Sequence, residues 1–140
     1  MDLSPEQIRF VEAVRKPRHH RREILLQKRF MEIPRAEQLD ALLYFFTHSS
    51  SYGDQKDCSR FFPALVSDCV YSLEELLTQI ASTWNLSVEE LPHYLADVYG
   101  AERVACLSKS LATQYPDASY ERRSLDTIAW WLKRRVADGG

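Results

Sequence analysis

The chain has 140 residues, 45% of them hydrophobic, with 18 Lys/Arg against 20 Asp/Glu and a formal net charge of −2. That is enough apolar material for one domain with a proper core. No apolar run approaches the ~20 residues that span a bilayer, and the N-terminus lacks the basic-then-apolar order of a secretory signal.

Three cysteines (Cys58, Cys69, Cys106) without a CxxC pair suggest buried free thiols in a reducing cytosol rather than a disulfide framework or a zinc site. The charge is uneven. Residues 1–35 hold nine Lys/Arg against five Asp/Glu, a balance of +4, and residues 36–140 hold nine against fifteen, a balance of −6. The sequence therefore predicts a basic N-terminal part and an acidic remainder within a single domain.

In chain order, Leu3-Ser4-Pro5-Glu6-Gln7-Ile8 has the form of a capping box with its hydrophobic staple, Pro5 standing at the favoured first helical position. It predicts a helix to about Arg15, stopped by Pro17. The densest charge follows, Arg15 to Arg22. Arg15, Lys16, Arg18, Arg21 and Arg22 are either a phosphate-contacting or acidic-partner patch or a solvated linker and helix face. Leu26, Phe30 and Ile33 mark a second helix ending before Pro34. Leu39, Leu42, Leu43, Tyr44, Phe45 and Phe46 mark a third that is apolar nearly all round, hence central and buried.

Thr47 to Asp57 reads as the one long polar loop. A fourth helix is expected from Asp57 as cap through Phe61, Phe62, Leu65, Val66 and Cys69, with Pro63 implying a kink or a late start. Next, Tyr71-Ser72-Leu73-Glu74-Glu75-Leu76 is a second box and staple. Leu73, Leu76, Leu77, Ile80, Ala81 and Trp84 then repeat at helical spacing.

The same device recurs where Leu86 and Leu91 bracket Ser87 and Glu90. It opens a helix through Leu95, Val98 and Tyr99, with Gly100 at the expected left-handed cap. Pro92 within it calls for a kink or a start near Pro92. A corner of about three residues (Asn85 to Ser87) between the two suggests a helix-turn-helix. The second helix opens on Val88, Glu89 and Glu90, and its two carboxylates would be repelled by phosphates. Val104, Leu107, Leu111 and Tyr115 trace a further helix closed by Pro116. The last starts between Asp117 and Ser124 and runs through Leu125, Ile128, Ala129, Leu132 and Val136 before fraying at Gly139-Gly140. The expectation is all-α: seven or eight helices and no strand, in an irregular bundle or stacked antiparallel pairs of HEAT-like kind.

The chemistry is sparse. HExxH, GxSxG, a phosphate-cradling glycine loop and an EF-hand loop are absent, so no catalytic residue, cofactor or metal site is assigned. One enzyme reading survives, centred on the His48–Cys58 stretch, where His48, Ser49 to Ser51, Asp54, Asp57 and Cys58 are neighbours in sequence. The last helix is more suggestive. Taking Leu125 as the centre of its stripe, at 100° per residue Trp130 falls about 140° to one side and Trp131 about 120° to the other, with Arg134 beside Trp130. These side chains either fill a second buried face or form a docking surface of hot-spot residue types.

In size, predicted helical content, acidic bias and lack of catalytic motifs the chain is similar to the small helical immunity proteins of bacterial toxin systems. No residue carries over from them. The resulting expectation is a cytosolic inhibitor, immunity-type or adaptor protein that occludes a partner with a basic surface, such as a toxin or nuclease. Its contacts would be Glu89, Glu90, Asp97, Trp130, Trp131 and Arg134. The alternative is a helix-turn-helix-like nucleic-acid-binding regulator using the Arg15–Arg22 stretch.

Overall fold

A computed structural model describes residues 2–16 and 19–139. Nine α-helices and one 3-10 segment are present among them, and no strand: α1 (Pro5–Arg15), α2 (Arg22–Met31), α3 (Arg35–Thr47), α4 (Tyr52–Ser59), the 3-10 segment Phe62–Asp68, α5 (Leu73–Ile80), α6 (Glu90–Tyr99), α7 (Ala101–Ala112), α8 (Tyr120–Trp131) and α9 (Lys133–Ala137). The expected stop at Pro17 and the end of the chain at Gly140 fall on residues outside those described.

Two of the three boxes form as the sequence implies. Ser4 Oγ accepts the Gln7 amide at 3.2 Å while Gln7 Oε1 accepts the Ser4 amide at 2.7 Å. Ser72 and Glu75 exchange the same pair of bonds at 3.2 Å each. The Ser87 box does not form, and α6 starts at Glu90. Proline explains it. In a helix begun after Ser87, the Pro92 ring would crowd the Val88 carbonyl and leave it without an amide donor. Starting at Glu90 makes Pro92 the third residue, where an amide has no partner anyway. The Val88 carbonyl instead accepts the indole N–H of Trp84 at 3.0 Å.

The link from α5 to α6 consequently runs from Ala81 to Glu89 rather than over three residues, which removes the helix-turn-helix. Gly100, at φ 94° and ψ 133°, makes the corner between α6 and α7. Its φ is positive, but its ψ lies outside the left-handed helical region.

A larger correction concerns Thr47 to Asp57. Most of this stretch is α4, capped by Ser51, whose Oγ accepts the Asp54 amide at 3.3 Å. The helix shows no apolar stripe because its buried face is Gln55, Cys58 and Ser59. Gln55, wholly buried, is a hub. The two N–H bonds of its Nε2 are shared among the carbonyls of Phe45 (3.1 Å), Ser49 (2.8 Å) and Thr83 (2.9 Å), and its Oε1 accepts the Asn85 amide at 2.8 Å. The segment expected as a helix from Asp57 is a 3-10 stretch broken at Leu65, consistent with Pro63 near its start. Arg35 of α3 clamps it by bonding the Ala64 carbonyl at 2.7 Å and the Asp68 carboxylate at 2.7 Å.

One continuous apolar cluster reaches from Phe10 in α1 to Leu132 after α8. At its centre α3 buries Leu39, Ala41, Leu42, Leu43, Phe45 and Phe46 and packs against α1, α4, α5 and the 3-10 segment. Phe10, Phe30 and Phe61 form an aromatic knot, the last two stacked at 4.3 Å. The bundle is irregular: α3 has neighbours from both ends of the chain's first half instead of the two-helix period of a stacked repeat. Among the described residues no helix is long and apolar enough to cross a membrane.

Candidate functional site

The surface around α8 and α9 is built on a well-anchored helix. Ser119 Oγ accepts the Arg122 amide at 3.1 Å, and Leu125, Ile128, Ala129 and Leu132 face the core. The helix breaks at Leu132 (φ −93°, ψ 0°), so the single last helix expected from the sequence is two short ones.

Trp130 and Trp131 leave the apolar stripe on opposite sides and meet very different surroundings. Trp131 is half-buried, and its indole N–H donates to the Leu86 carbonyl at 2.8 Å. Trp130 is 61% exposed and touches Trp131 edge to face, ring centroids 4.9 Å apart. Three surface grooves meet at Trp130. The first lies between α7 and the α8–α9 helices, over Ala105, Ala129 and Val136, with Lys109 and Lys133 at its sides. The second runs along Arg122, Arg123, Asp126 and Thr127. The third is bounded by Trp131, Lys133, Arg134 and Ala137. Of the sequence-selected residues, Trp130, Trp131 and Arg134 do come together. Lys109 and Arg123 were missed, although Arg123 stands seven residues before Trp130, on its side of the helix.

The three selected carboxylates also converge. Glu89, Glu90 and Asp97 line one cavity of about 190 Å³ with Ser59, Pro63 and His93, over the stacked rings of Phe62 and Tyr94 (4.6 Å). Burial pushes the Tyr94 phenol up, and its hydroxyl donates to the Leu65 carbonyl at 2.8 Å. Two of the three acids are already engaged. Glu90 is ion-paired with Lys56, whose ammonium pKa this hydrogen bond raises. Asp97 accepts Arg135 at 2.9 Å. Glu89 is exposed.

The basic stretch does not form one patch. Arg22 is buried: its guanidinium donates to the carbonyls of Ala13 (3.3 Å) and Val14 (2.8 Å) at the end of α1 and to Asp57 of α4. It is a structural tie between α1, α2 and α4, withdrawn from any phosphate. Arg15 lies over the rings of Tyr44 and Phe45 at 5.3 and 5.9 Å. Lys16 and Arg21 are exposed, and Arg18 lies outside the described residues.

The His48–Cys58 residues do not assemble into a nucleophile–base–orienter arrangement. His48 is exposed, stacked on Tyr44 (4.4 Å), with Nδ1 2.9 Å from Thr47 Oγ1. It lines a small cavity with Asp40, Tyr44 and Tyr71 that does not include Asp54, Asp57 or Cys58. Ser49 Oγ accepts the Ser51 amide and Ser50 is exposed. Asp57 holds Arg22. Burial raises the Asp54 carboxyl and pushes the Cys58 thiol well up, which suppresses its thiolate. Among the described residues no group of three or more His, Cys, Asp or Glu stands where it could hold a metal ion.

No family model, curated protein or solved structure matches the chain.

Proposed function

We propose that this chain is a small protein-interaction domain, an inhibitor or adaptor, that acts by covering a partner's surface with the face of α8 and α9. The observation that carries the reading is Trp130. Of the three tryptophans, Trp84 is fully buried with its N–H bonded, and Trp131 is half-buried with its N–H bonded. Trp130 keeps most of its indole in water at the meeting point of three grooves. Tryptophan and arginine are the residue types that dominate binding energy once desolvated by a partner. A helix fixed by its apolar face presents the indole with little left to order on binding.

A second reading is favoured by the convergence of Glu89, Glu90 and Asp97 on one cavity. A basic side chain of a partner, entering over the Phe62–Tyr94 floor, would meet Glu89 and compete with Lys56 and Arg135 for the other two acids. Quantitative capture from native cell extract at moderate salt separates the two. The bait is the wild-type chain beside Trp130→Ala and Glu89→Lys. A stoichiometric partner lost only with Trp130→Ala supports the first reading, and loss only with Glu89→Lys moves the docking face to the acidic cavity. A partner held equally by all three refutes both.

A further inference from the structure

The chemistry of the partner is written in the charges around Trp130, and the inference rests on the docking reading above. Lys109, Arg123, Lys133 and Arg134 are all exposed and border the three grooves. Among the described residues none of them forms an ion pair. The carboxylates lining the same grooves offset them only in part: Asp117 and Asp126 share the single guanidinium of Arg122 at 2.9 and 3.8 Å, and with Asp138 they make three acids against five cations, Arg122 included. A chain whose residues 36–140 carry a balance of −6 thus concentrates unpaired positive charge around its most exposed tryptophan. Between those charges the floor of the α7–α8 groove is apolar, made of Ala105, Ala129 and Val136.

We infer that this surface receives an acidic segment of another protein: an apolar or aromatic side chain lies in the Ala105–Ala129–Val136 groove against Trp130, and flanking carboxylates meet Lys109, Lys133, Arg134 and Arg123. This reverses the sign of partner expected from the overall acidic bias, because local unpaired charge and not the chain average sets complementarity. Single-stranded nucleic acid, the other ligand of a tryptophan among cations, fits less well. Its binding surfaces stack successive bases on several aromatics. Here one indole is exposed.

The test is selection from a random peptide library on the immobilised full-length chain, followed by affinity measurement. Each selected peptide is measured on wild type, Trp130→Ala and the pair Lys133→Glu with Arg134→Glu, after circular dichroism shows the variants folded. The expected peptides are acidic and carry an apolar anchor. Their binding falls about tenfold or more in Trp130→Ala and in the charge-reversed pair, the factor that corresponds to roughly 1.4 kcal/mol. It also weakens as salt shortens the screening length. Peptides that need Trp130 but are neutral or basic overturn the acidic partner while leaving the docking face standing. Two other results overturn it as well: an oligothymidylate that binds and is released by Trp130→Ala, or a dimer of the chain that this variant dissociates. Selected peptides indifferent to Trp130→Ala overturn both the inference and the docking reading.

Discussion

Removing the side chain of Gln55 tests whether the polar stretch after α3 is a structural hub. The buried amide bonds four backbone groups from three separate parts of the chain, its two N–H bonds shared among three carbonyls: the end of α3 at Phe45, the turn at Ser49, and the α5–α6 link at Thr83 and Asn85. Gln55→Ala leaves these groups without their partner and opens a cavity in a wholly buried site. Each orphaned polar group costs about 1–3 kcal/mol. Some relax toward water at the Ser49 turn, so the loss is about 3–5 kcal/mol, against a total of ~10 kcal/mol for a domain of this size. The midpoint of thermal unfolding should drop by roughly 10–20 °C.

Urea unfolding followed by tryptophan fluorescence measures it, since Trp84 is fully buried in the same region. Gln55→Glu sharpens the test. Its carboxylate keeps an acceptor for Asn85 but sets negative charge against three carbonyl oxygens. The folded state therefore favours the protonated form, and the carboxyl pKa is higher folded than unfolded. That variant should gain stability as pH falls from neutral toward the ordinary glutamate value near ~4.3, and wild type should show no such gain from this position. A loss below about 1 kcal/mol in Gln55→Ala, or a Gln55→Glu penalty independent of pH, would refute the hub.

Three further predictions follow from particular residues. The Asp68 carboxyl is held below its ordinary value, first by its hydrogen bond to Arg35, so its contribution is present above the unfolded value of about 3.9 and lost as pH falls through the folded one. Asp68→Asn should lower the melting temperature at neutral pH, and the difference from wild type should close in acid; a constant difference contradicts this. Gly100→Ala should cost about 1–3 kcal/mol although there is open space for a methyl group, because φ 94° strains any L side chain; equal stability in urea would count against the corner. In thiol titration Cys106, exposed, should react at once and Cys58, buried with its thiol pushed well up, only on unfolding; early reaction of Cys58 would contradict its burial.

Helix ends written in local chemistry were legible. Ser4 with Gln7 and Ser72 with Glu75 need only their own few residues to form, and the all-helical core follows from the stripes they open. Two kinds of element were not. α4 buries an amide, a thiol and a hydroxyl instead of an apolar stripe, so periodicity passes over it, and only the Ser51 cap marks its start. The Ser87 box was overridden at a distance, by a proline five residues on and an indole from the preceding link.

The site was half legible for the same reason. Helical spacing placed Trp130 and Arg134 off the apolar stripe, but nothing local says that Trp131 would find the Leu86 carbonyl and Trp130 would not. Arg22 illustrates the converse. A basic run suggests a charged surface, yet its guanidinium closes the end of α1, because Asp57 arrives from a helix that the sequence did not announce.

The most direct test of the docking face is site-specific photo-crosslinking in native cells from Ala137, which lines a groove beside Trp130, compared with Val70, which is 88% exposed elsewhere on the chain. A docking face at Trp130 gives a discrete protein adduct from position 137 that disappears when Trp130→Ala is added, and none from position 70. The same adduct from both positions, or one from 137 that survives Trp130→Ala, would contradict it.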